Sequence, residues 1–226
     1  MRVLVLLTLF CLSTNSWAQS DLSSFRPDGI NGSAGAGFAI FTVKAPDDFD
    51  IKIDQATYAY VGGEKGFDVA HLYLTVSFQY MTTTGQSNYE YESVSTSTKW
   101  EGEDVDFKAS FFQAGLGLKL KIIDDYWFRP YVEGGGLGGY FQITYSNDSD
   151  EIERQTGSDD DPKLKDALLD FGRYVEGGLE IAFAETWGIK ASARFIESET
   201  KKLETLGDRT LKYASSVYFL SLLKAF

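Results

Sequence analysis

The stretch GLGLKLKII, residues 115–123, decides the fold because its side chains alternate in character with a period of two. One parity carries Leu116, Leu118, Leu120 and Ile122, and the other carries Gly115, Gly117, Lys119 and Lys121. This alternation is typical of a β-strand whose two faces meet different surroundings. The question it raises is which face meets the solvent, and whether that solvent is water or hydrocarbon.

The same alternation recurs along the chain and predicts eight β-strands. The quoted strand extends back to residue 112, and clear alternation is also present at 69–81, 173–183 and 187–196. Less regular candidates cover 33–44, 51–61, 127–145 and 212–226. Within 127–145 the apolar parity shifts across the glycines 134–136, where we expect a β-bulge or a glycine kink. A content of 22 glycines, 13 tyrosines and 17 phenylalanines against four prolines also favours β-structure.

The connections between the predicted strands differ in length in a regular way. Those after the second, fourth and sixth strands (VGGEKGFD, IDDY and AET) are short, as is the first, APDDFD. Those near 82–105, 146–170 and 197–211 are long and polar, and the second of them is expected to hold a short helix with Asp161 as N-cap and Pro162 at its first position. Short turns at one rim and long loops at the other are typical of outer-membrane barrels. We therefore predict an all-β fold, an eight-stranded antiparallel up-and-down transmembrane β-barrel.

The N-terminus has the features of a secretory signal peptide. Arg2 precedes an apolar stretch, and residues 16–18 place small side chains where a signal peptidase cleaves. The apolar stretch is too short for a spanning helix, which needs about 20 residues. We predict a signal peptide at 1–18, a periplasmic lead-in at 19–32 and the barrel domain at 33–226.

Cysteine content and charge exclude several classes of function. The only cysteine, Cys11, lies in the predicted leader, so disulfides, thiol catalysis and cysteine metal sites are not expected in the mature chain. The formal net charge of −12 becomes −13 without Arg2, which argues against a nucleic-acid partner.

The polar parity decides between a soluble barrel and a membrane barrel. Each Lys or Arg that faced lipid near the bilayer midplane would cost about 2–4 kcal/mol. Several together would exceed the stability of an ordinary domain, about 5–15 kcal/mol. In a membrane the leucines must therefore face lipid, while charges of both signs fill a lumen just wide enough for side chains. The predicted interior network consists of Lys119, Lys121, Arg129, Glu133, Glu176, Glu180, Lys190 and Arg194. It is either a satisfied ionic plug or a gated polar conduit.

Aromatic residues mark the expected membrane interfaces. Tyr126, Trp127 and Phe128 lie at one predicted turn and Trp187 at another, where interfacial girdles are found. The last predicted strand ends in Phe226, with Tyr218, Leu220 and Leu222 on the same parity.

Three segments resemble the outer-membrane β-barrel domain family of Gram-negative bacteria, the group of small OmpA-like eight-stranded barrels. They are FRPYVEGGGLGGYF (128–141), YVEGGLEIAFAETWGIKASARF (174–195) and YFLSLLKAF (218–226). The resemblance covers essentially the whole mature chain and implies a location in the outer membrane. It also implies that the barrel-assembly machinery reads the C-terminal aromatic residue, here Phe226. Lys224 departs from the usual aromatic or apolar third-from-last residue, although a lysine at the rim can extend to the headgroups.

Catalytic and metal-binding residues are not expected. The only histidine, His71, is placed near the periplasmic rim, whereas barrel-type lipid enzymes work near the outer leaflet, and no nucleophile arrangement accompanies it. The acidic loop 146–170 offers oxygen ligands for Ca²⁺ but lacks the spacing of an EF-hand, so a solvated loop is expected. No cofactor is predicted.

The sequence favours a structural or surface-interaction role for a monomeric barrel. The expected partners are outer-membrane lipid and lipopolysaccharide, the barrel-assembly machinery and an extracellular ligand held by the long loops. Tyr89, Tyr91 and Trp100 either contact such a ligand or pack on each other above the bilayer. A narrow pore for small solutes is the alternative function, and a lipid-modifying enzyme has less support.

Overall fold

Antiparallel β-structure makes up almost all of the part of the chain that the computed structural model describes, which is residues 29–44, 51–67, 71–93, 96–123, 127–146, 152–156, 162–205 and 207–226. Within these ranges lie ten strands: β1 (Ile30–Lys44), β2 (Ile51–Ile53), β3 (Ala56–Gly66), β4 (Leu72–Glu92), β5 (Lys99–Lys121), β6 (Phe128–Tyr145), β7 (Glu153–Thr156), β8 (Lys165–Ala182), β9 (Trp187–Leu203) and β10 (Arg209–Ala225). None of the described residues belongs to a helix long and apolar enough to cross a membrane. The predicted signal peptide and Tyr126 lie outside the described residues.

Eight of the strands pair into a closed ring. Their order is β4-β3-β1-β10-β9-β8-β6-β5, and the pairing of β4 with β5 closes it. The short strands β2 and β7 pair with the far ends of β4 and β5. The prediction of an eight-stranded antiparallel barrel is confirmed, and the described residues add two short strands at one end.

The stagger of the ring follows from its register. The paired residues around the barrel, starting from Ser33, are Gly62, Ser77, Gly115, Leu137, Gly172, Ser198, Tyr213 and finally Val43. One circuit therefore returns to β1 ten residues further along the chain. A stagger of this kind tilts the strands by about 35–45° to the barrel axis.

Much of the three predicted long loops is strand where the structure describes them, which corrects the sequence interpretation. β4 runs to Glu92 and β5 begins at Lys99, so most of 82–105 is paired. Likewise β8 begins at Lys165 and β9 runs to Leu203. Asp161 lies outside the described residues, but Pro162 precedes the strand β8 without a helix, so the helix predicted there is wrong in its described part.

Two further local predictions are corrected. β6 pairs with β5 and β8 without any shift of register through Gly134–Gly136, which excludes the β-bulge and leaves the glycine kink as a prediction. The expected turn VGGEKGFD is strand β3 as far as Gly66, which places Glu64 on the lumen face. Strand β1 also begins three residues before the predicted start at residue 33.

Partway along the barrel the outer face changes from apolar to polar, and the inner face changes from polar to apolar. On β5, outward Phe112 is 55 % exposed and begins the apolar outer face that ends at Ile122, while inward Phe111 is 1 % exposed and begins an apolar inner face. Beyond this point the outward residues are polar, such as Asp106 and Lys108. Neighbouring strands make the same exchange at adjacent apolar pairs that lie in register: Tyr80–Met81, Phe111–Phe112, Tyr140–Phe141 and Leu168–Leu169.

The barrel therefore has two segments with opposite sidedness. The proximal barrel lies toward the short turns and the chain end Phe226, and it is apolar outside and polar inside. The distal barrel is the remainder, with polar residues outside and an apolar core. It comprises residues 41–44, 51–53, 81–93, 96–111, 141–146, 152–156, 162–168, 196–205 and 207–213.

Candidate functional site

The lumen of the proximal barrel holds all eight residues of the predicted charge network. Each of them is at most 3 % exposed. They lie on the four adjacent strands β5, β6, β8 and β9, and the register sets opposite charges side by side. One row is Lys119–Glu133–Glu176–Arg194, and the next is Arg129–Glu180–Lys190.

Two lysines and two carboxylates form a cluster at the proximal end of the lumen. Glu180 lies 3.0 Å from the Nζ atoms of both Lys119 and Lys121. Glu64, on the far side of β4, accepts hydrogen bonds from the same two lysines and from the amide of Asn31, the last at 3.0 Å. Both lysines are thus held between carboxylates from opposite walls of the barrel.

A second cluster surrounds Glu176 in the middle of the lumen. Its carboxylate accepts hydrogen bonds from Lys190 Nζ at 3.0 Å and from Arg194 Nε at 2.6 Å. The hydroxyl of Tyr131 donates to it at 2.5 Å. The guanidinium carbon of Arg194 lies 4.3 Å from the centre of the Tyr174 ring, which covers the cation with an aromatic face.

Glu133 connects the two clusters. It accepts hydrogen bonds from the hydroxyls of Thr75 at 2.9 Å and Tyr174 at 2.7 Å. Lys119 lies 3.7 Å from it on one side and Arg194 lies 3.8 Å from it on the other. The charged groups therefore form one continuous network across the lumen.

A chain of side-chain amides extends this network toward the distal barrel. Arg194 Nη1 donates to Gln79 Oε1 at 2.8 Å, and Gln79 Nε2 donates to Gln113 Oε1 at 2.5 Å. Gln113 Nε2 donates in turn to Asp170 Oδ2 at 2.5 Å. Each amide accepts from the cation side and donates toward the carboxylate, so the dipoles are aligned from Arg194 to Asp170.

Asp170 ends the polar part of the lumen. It is fully buried and also accepts hydrogen bonds from the hydroxyls of Tyr213 and Ser198, both at 2.6 Å. With Glu64 and Asp170 counted, the described part of the proximal lumen holds five buried carboxylates and five buried cations. Sequence reasoning missed both residues because one lay in an expected turn and the other in an expected loop.

An aromatic layer closes the lumen above Asp170. The ring of Phe111 packs against those of Phe41, Phe141 and Tyr213, with centroid distances of 4.9–5.2 Å. Above this layer the core of the distal barrel is mostly apolar and includes Phe107 and Ile143, together with a buried Asp166 that accepts two hydrogen bonds from Thr205 at 2.8 Å. The described interior is thus filled first by ions, then by amides and finally mostly by hydrocarbon.

The remaining predicted residues lie on the outer surface. Trp127, Phe128 and Trp187 are 38–39 % exposed at the end with the short turns. The predicted assembly residues Tyr218, Leu220, Leu222 and Phe226 share the outward face of β10 and are 45–79 % exposed. Lys224, on the same face, donates to Thr186 Oγ1 at 2.8 Å and lies 4.6 Å from the Trp187 ring centre.

The other candidates from the sequence are placed as follows. His71 directly precedes β4 at the proximal end, far along the barrel from the distal connections. Tyr89 is buried against Tyr145, with ring centroids 5.1 Å apart, and Tyr91 pairs in register with Trp100. These aromatics therefore pack within the distal barrel. Residues 147–151 and 157–161 of the acidic loop 146–170 lie outside the described residues, and no cluster of potential metal ligands occurs in the described part of the chain.

Comparison with known proteins identifies a family over most of the chain. The family model described as "Outer membrane protein beta-barrel domain" matches residues 4–217. No curated protein sequence matches the chain.

Solved structures of small barrels are similar to this one. Neisserial surface protein A has a TM-score of 0.52 at 12 % identity, covering 88 % of this chain and 97 % of that one. OprG from Pseudomonas aeruginosa has a TM-score of 0.44 at 15 % identity, with 88 % and 96 % covered. The attachment invasion locus protein Ail of Yersinia pestis, solved with a heparin analogue, has a TM-score of 0.41 at 14 % identity, with 86 % and 99 % covered.

Proposed function

The chain belongs to the outer membrane protein β-barrel domain family, and from this premise we propose that it is a closed, non-conducting barrel of the Gram-negative outer membrane that displays its distal barrel outside the cell. Its role is structural or surface-interactive. Lipid and lipopolysaccharide surround the proximal barrel, and an extracellular partner contacts the distal barrel. The barrel works as a monomer, it is exported through a cleaved signal peptide, and its C-terminal strand serves the assembly machinery.

The filled lumen is the observation that carries this proposal. A conduit needs a continuous path lined by groups that water can hydrate. Here the ion pairs around Glu176 and Glu180 occupy the proximal lumen, and the rings around Phe111 close it above. Ions that entered from the proximal end would meet an apolar layer. The narrow-pore alternative would require this layer to move aside.

Conductance in planar bilayers tests the closed state. The folded protein is expected to show no resolved conductance steps, because both the ionic and the aromatic layers block the lumen. Glu176→Ala leaves Lys190 and Arg194 without their main carboxylate, and it should lower the free energy of unfolding by about 3–5 kcal/mol or raise ion leakage.

Glu197→Ala is the matched control for this substitution. It also removes a carboxylate from an arginine, but its pair with Arg173 is solvent-exposed, so the expected loss is at most about 1 kcal/mol. Regular conductance steps in the wild-type protein would exclude the closed barrel in favour of the pore. An unchanged stability and leakage in Glu176→Ala would contradict the network.

Cysteine labelling on intact cells tests the location and the orientation. The only native cysteine, Cys11, lies in the predicted leader, so a new cysteine gives an isolated signal. Lys108→Cys, on the outer face of the distal barrel, should react with a membrane-impermeant maleimide on intact cells. Glu185→Cys, in a short turn at the proximal end, should react only after the outer membrane is permeabilised. The reverse pattern would mean that the barrel is inserted the other way.

A further inference from the structure

The core of the distal barrel contains a small cavity directly above the aromatic layer. It leaves about 10 Å³ for the centre of a water-sized sphere. Side chains from β1, β2, β4, β5, β6 and β10 surround it: Phe41, Ile51, Ile53, Ser87, Phe107, Ala109, Phe111, Phe141, Ile143, Leu211 and Tyr213.

The polar groups in this lining are already engaged elsewhere. The hydroxyl of Ser87 lies 3.0 Å from that of Tyr145, and one of the two donates to the other. The hydroxyl of Tyr213 donates to Asp170 at 2.6 Å and accepts from Gln113 at 3.0 Å. Only apolar atoms present surface to the cavity. A water molecule needs about two to four polar partners, so this cavity favours a dry state or an apolar occupant.

The frame of the cavity resists collapse. Phe41 stacks on Phe111 at 5.2 Å, and Phe111 contacts both Phe141 and Tyr213. The ring-closing strand pairs fix the backbones behind these side chains. These contacts hold the walls in place, and a dry apolar cavity with fixed walls can take up an apolar atom such as xenon.

One side of the cavity is less tightly covered than the rest. Phe41, Ile51 and Ile53 are only partly buried. Among the described strands, β2 pairs only with β4, so no strand is hydrogen-bonded to its other edge. We expect a small molecule to enter the cavity from this side.

We propose that this cavity is a binding site for a small apolar molecule that lacks hydrogen-bonding groups. The aromatic and aliphatic side chains of the lining supply the contacts for such a molecule, and the hydrogen bonds that Ser87 and Tyr213 already make leave no partner for a hydroxyl or a charge. The site is independent of the proposed role of the barrel, because it requires only the folded distal core.

Xenon titration followed by methyl NMR tests the proposal on the full-length folded protein in detergent micelles. Isoleucine methyl groups report the site, since Ile51, Ile53 and Ile143 line the cavity. Their resonances should shift and saturate with xenon pressure. Ile181 and Ile189 lie on the outer face of the proximal barrel and should show only the linear, non-saturating shifts of xenon dissolved in detergent.

Filling the cavity should abolish the saturable shift. Ala109→Leu adds three carbons to the lining, whereas Ala114→Leu adds the same carbons to the outer face of the same strand and should leave the shift intact. Ile53→Phe at the partly buried side is the second filling variant if Ala109→Leu does not fold. Non-saturating shifts at the lining isoleucines of the wild-type protein would overturn the proposal. So would a saturable shift that survives in a folded filling variant.

Discussion

Glu64 shows at the scale of one residue how a lumen-facing carboxylate organises its surroundings. It is 7 % exposed and is shared by Lys119, Lys121 and Asn31, which come from two other strands. Two buried ammonium groups depend on it and on Glu180 for neutralisation. A buried cation that loses its partner cannot return to water without opening the barrel.

Removal of Glu64 is therefore expected to destabilise the barrel strongly. Glu64→Ala should lower the free energy of unfolding in urea by about 3–5 kcal/mol, because it leaves buried lysine charge uncompensated. Lys65→Ala, one residue further along β3 and pointing outward, is the matched control and should change stability by less than about 1 kcal/mol. Equal effects of the two substitutions would show that Glu64 is not part of the network.

Tyr145 gives the distal barrel a dependence on alkaline pH. Burial raises the pKa of its phenol well above the ordinary value of about 10. Below pH 10 the phenol is protonated in both states and its contribution is fully present. Above pH 10 the unfolded chain releases the proton and the folded chain keeps it, so stability is lost as pH rises.

Tyr145→Phe should reduce this loss. Between pH 10 and 11 a phenol that stays protonated when folded, and has a pKa of about 10 when unfolded, costs about 1 kcal/mol of stability. The free energy of unfolding, measured at pH 8, 10 and 11, should therefore fall less steeply in the variant than in the wild-type protein. Identical slopes for the variant and the wild-type protein would contradict the assignment.

Single residues were predictable from the sequence where the alternation was regular. Lys119, Lys121, Glu176, Glu180, Lys190 and Arg194 all lie in segments of clear period two, and the structure places them in the lumen. Glu64 and Asp170 lie in glycine-containing or polar segments whose composition resembles that of turns and loops. Their position depends on partners far along the chain, which a local pattern does not report.

At the scale of the strand, adjacent apolar residues mark where the two faces exchange character. Tyr80–Met81, Phe111–Phe112, Tyr140–Phe141 and Leu168–Leu169 interrupt the alternation without any change in backbone register. Strict alternation cannot represent such a pair, so it suggested strand ends on β4 and β8. These pairs were the available signal that the strands continue beyond the apolar girdle.

Paired substitutions at one such site distinguish the two faces. Phe111→Ala should lower the free energy of unfolding by about 3–5 kcal/mol, because it opens a cavity in a packed aromatic core. Phe112→Ala should lower it distinctly less, because mobile lipid or detergent chains fill the space on the outer face. Urea unfolding of both variants in the same detergent compares them directly. A greater loss for Phe112→Ala would mean that the assigned faces are reversed.

At the scale of the whole molecule, the closed ring removes every sheet edge from the proximal barrel. Strand count, antiparallel order and the direction of the leucine-bearing face all followed from the sequence, because lipid imposes strong alternation on the strands it surrounds. The height of the barrel, by contrast, could not be predicted from the sequence. Its distal half is held by an apolar core of the kind found in soluble proteins, and its polar exterior resembles loops in composition.

The exchange of sidedness along each strand also protects the alignment of the barrel during assembly. A slip of one residue turns every side chain to the opposite face. In a barrel that is apolar outside and polar inside along its whole length, only the surrounding lipid penalises that error. Here the same slip would drive Lys119 into hydrocarbon and, on the same strand, Phe107 into water. A one-residue slip is thus penalised both by the lipid around the proximal barrel and by the water around the distal barrel. Misaligned intermediates are unfavourable in both environments.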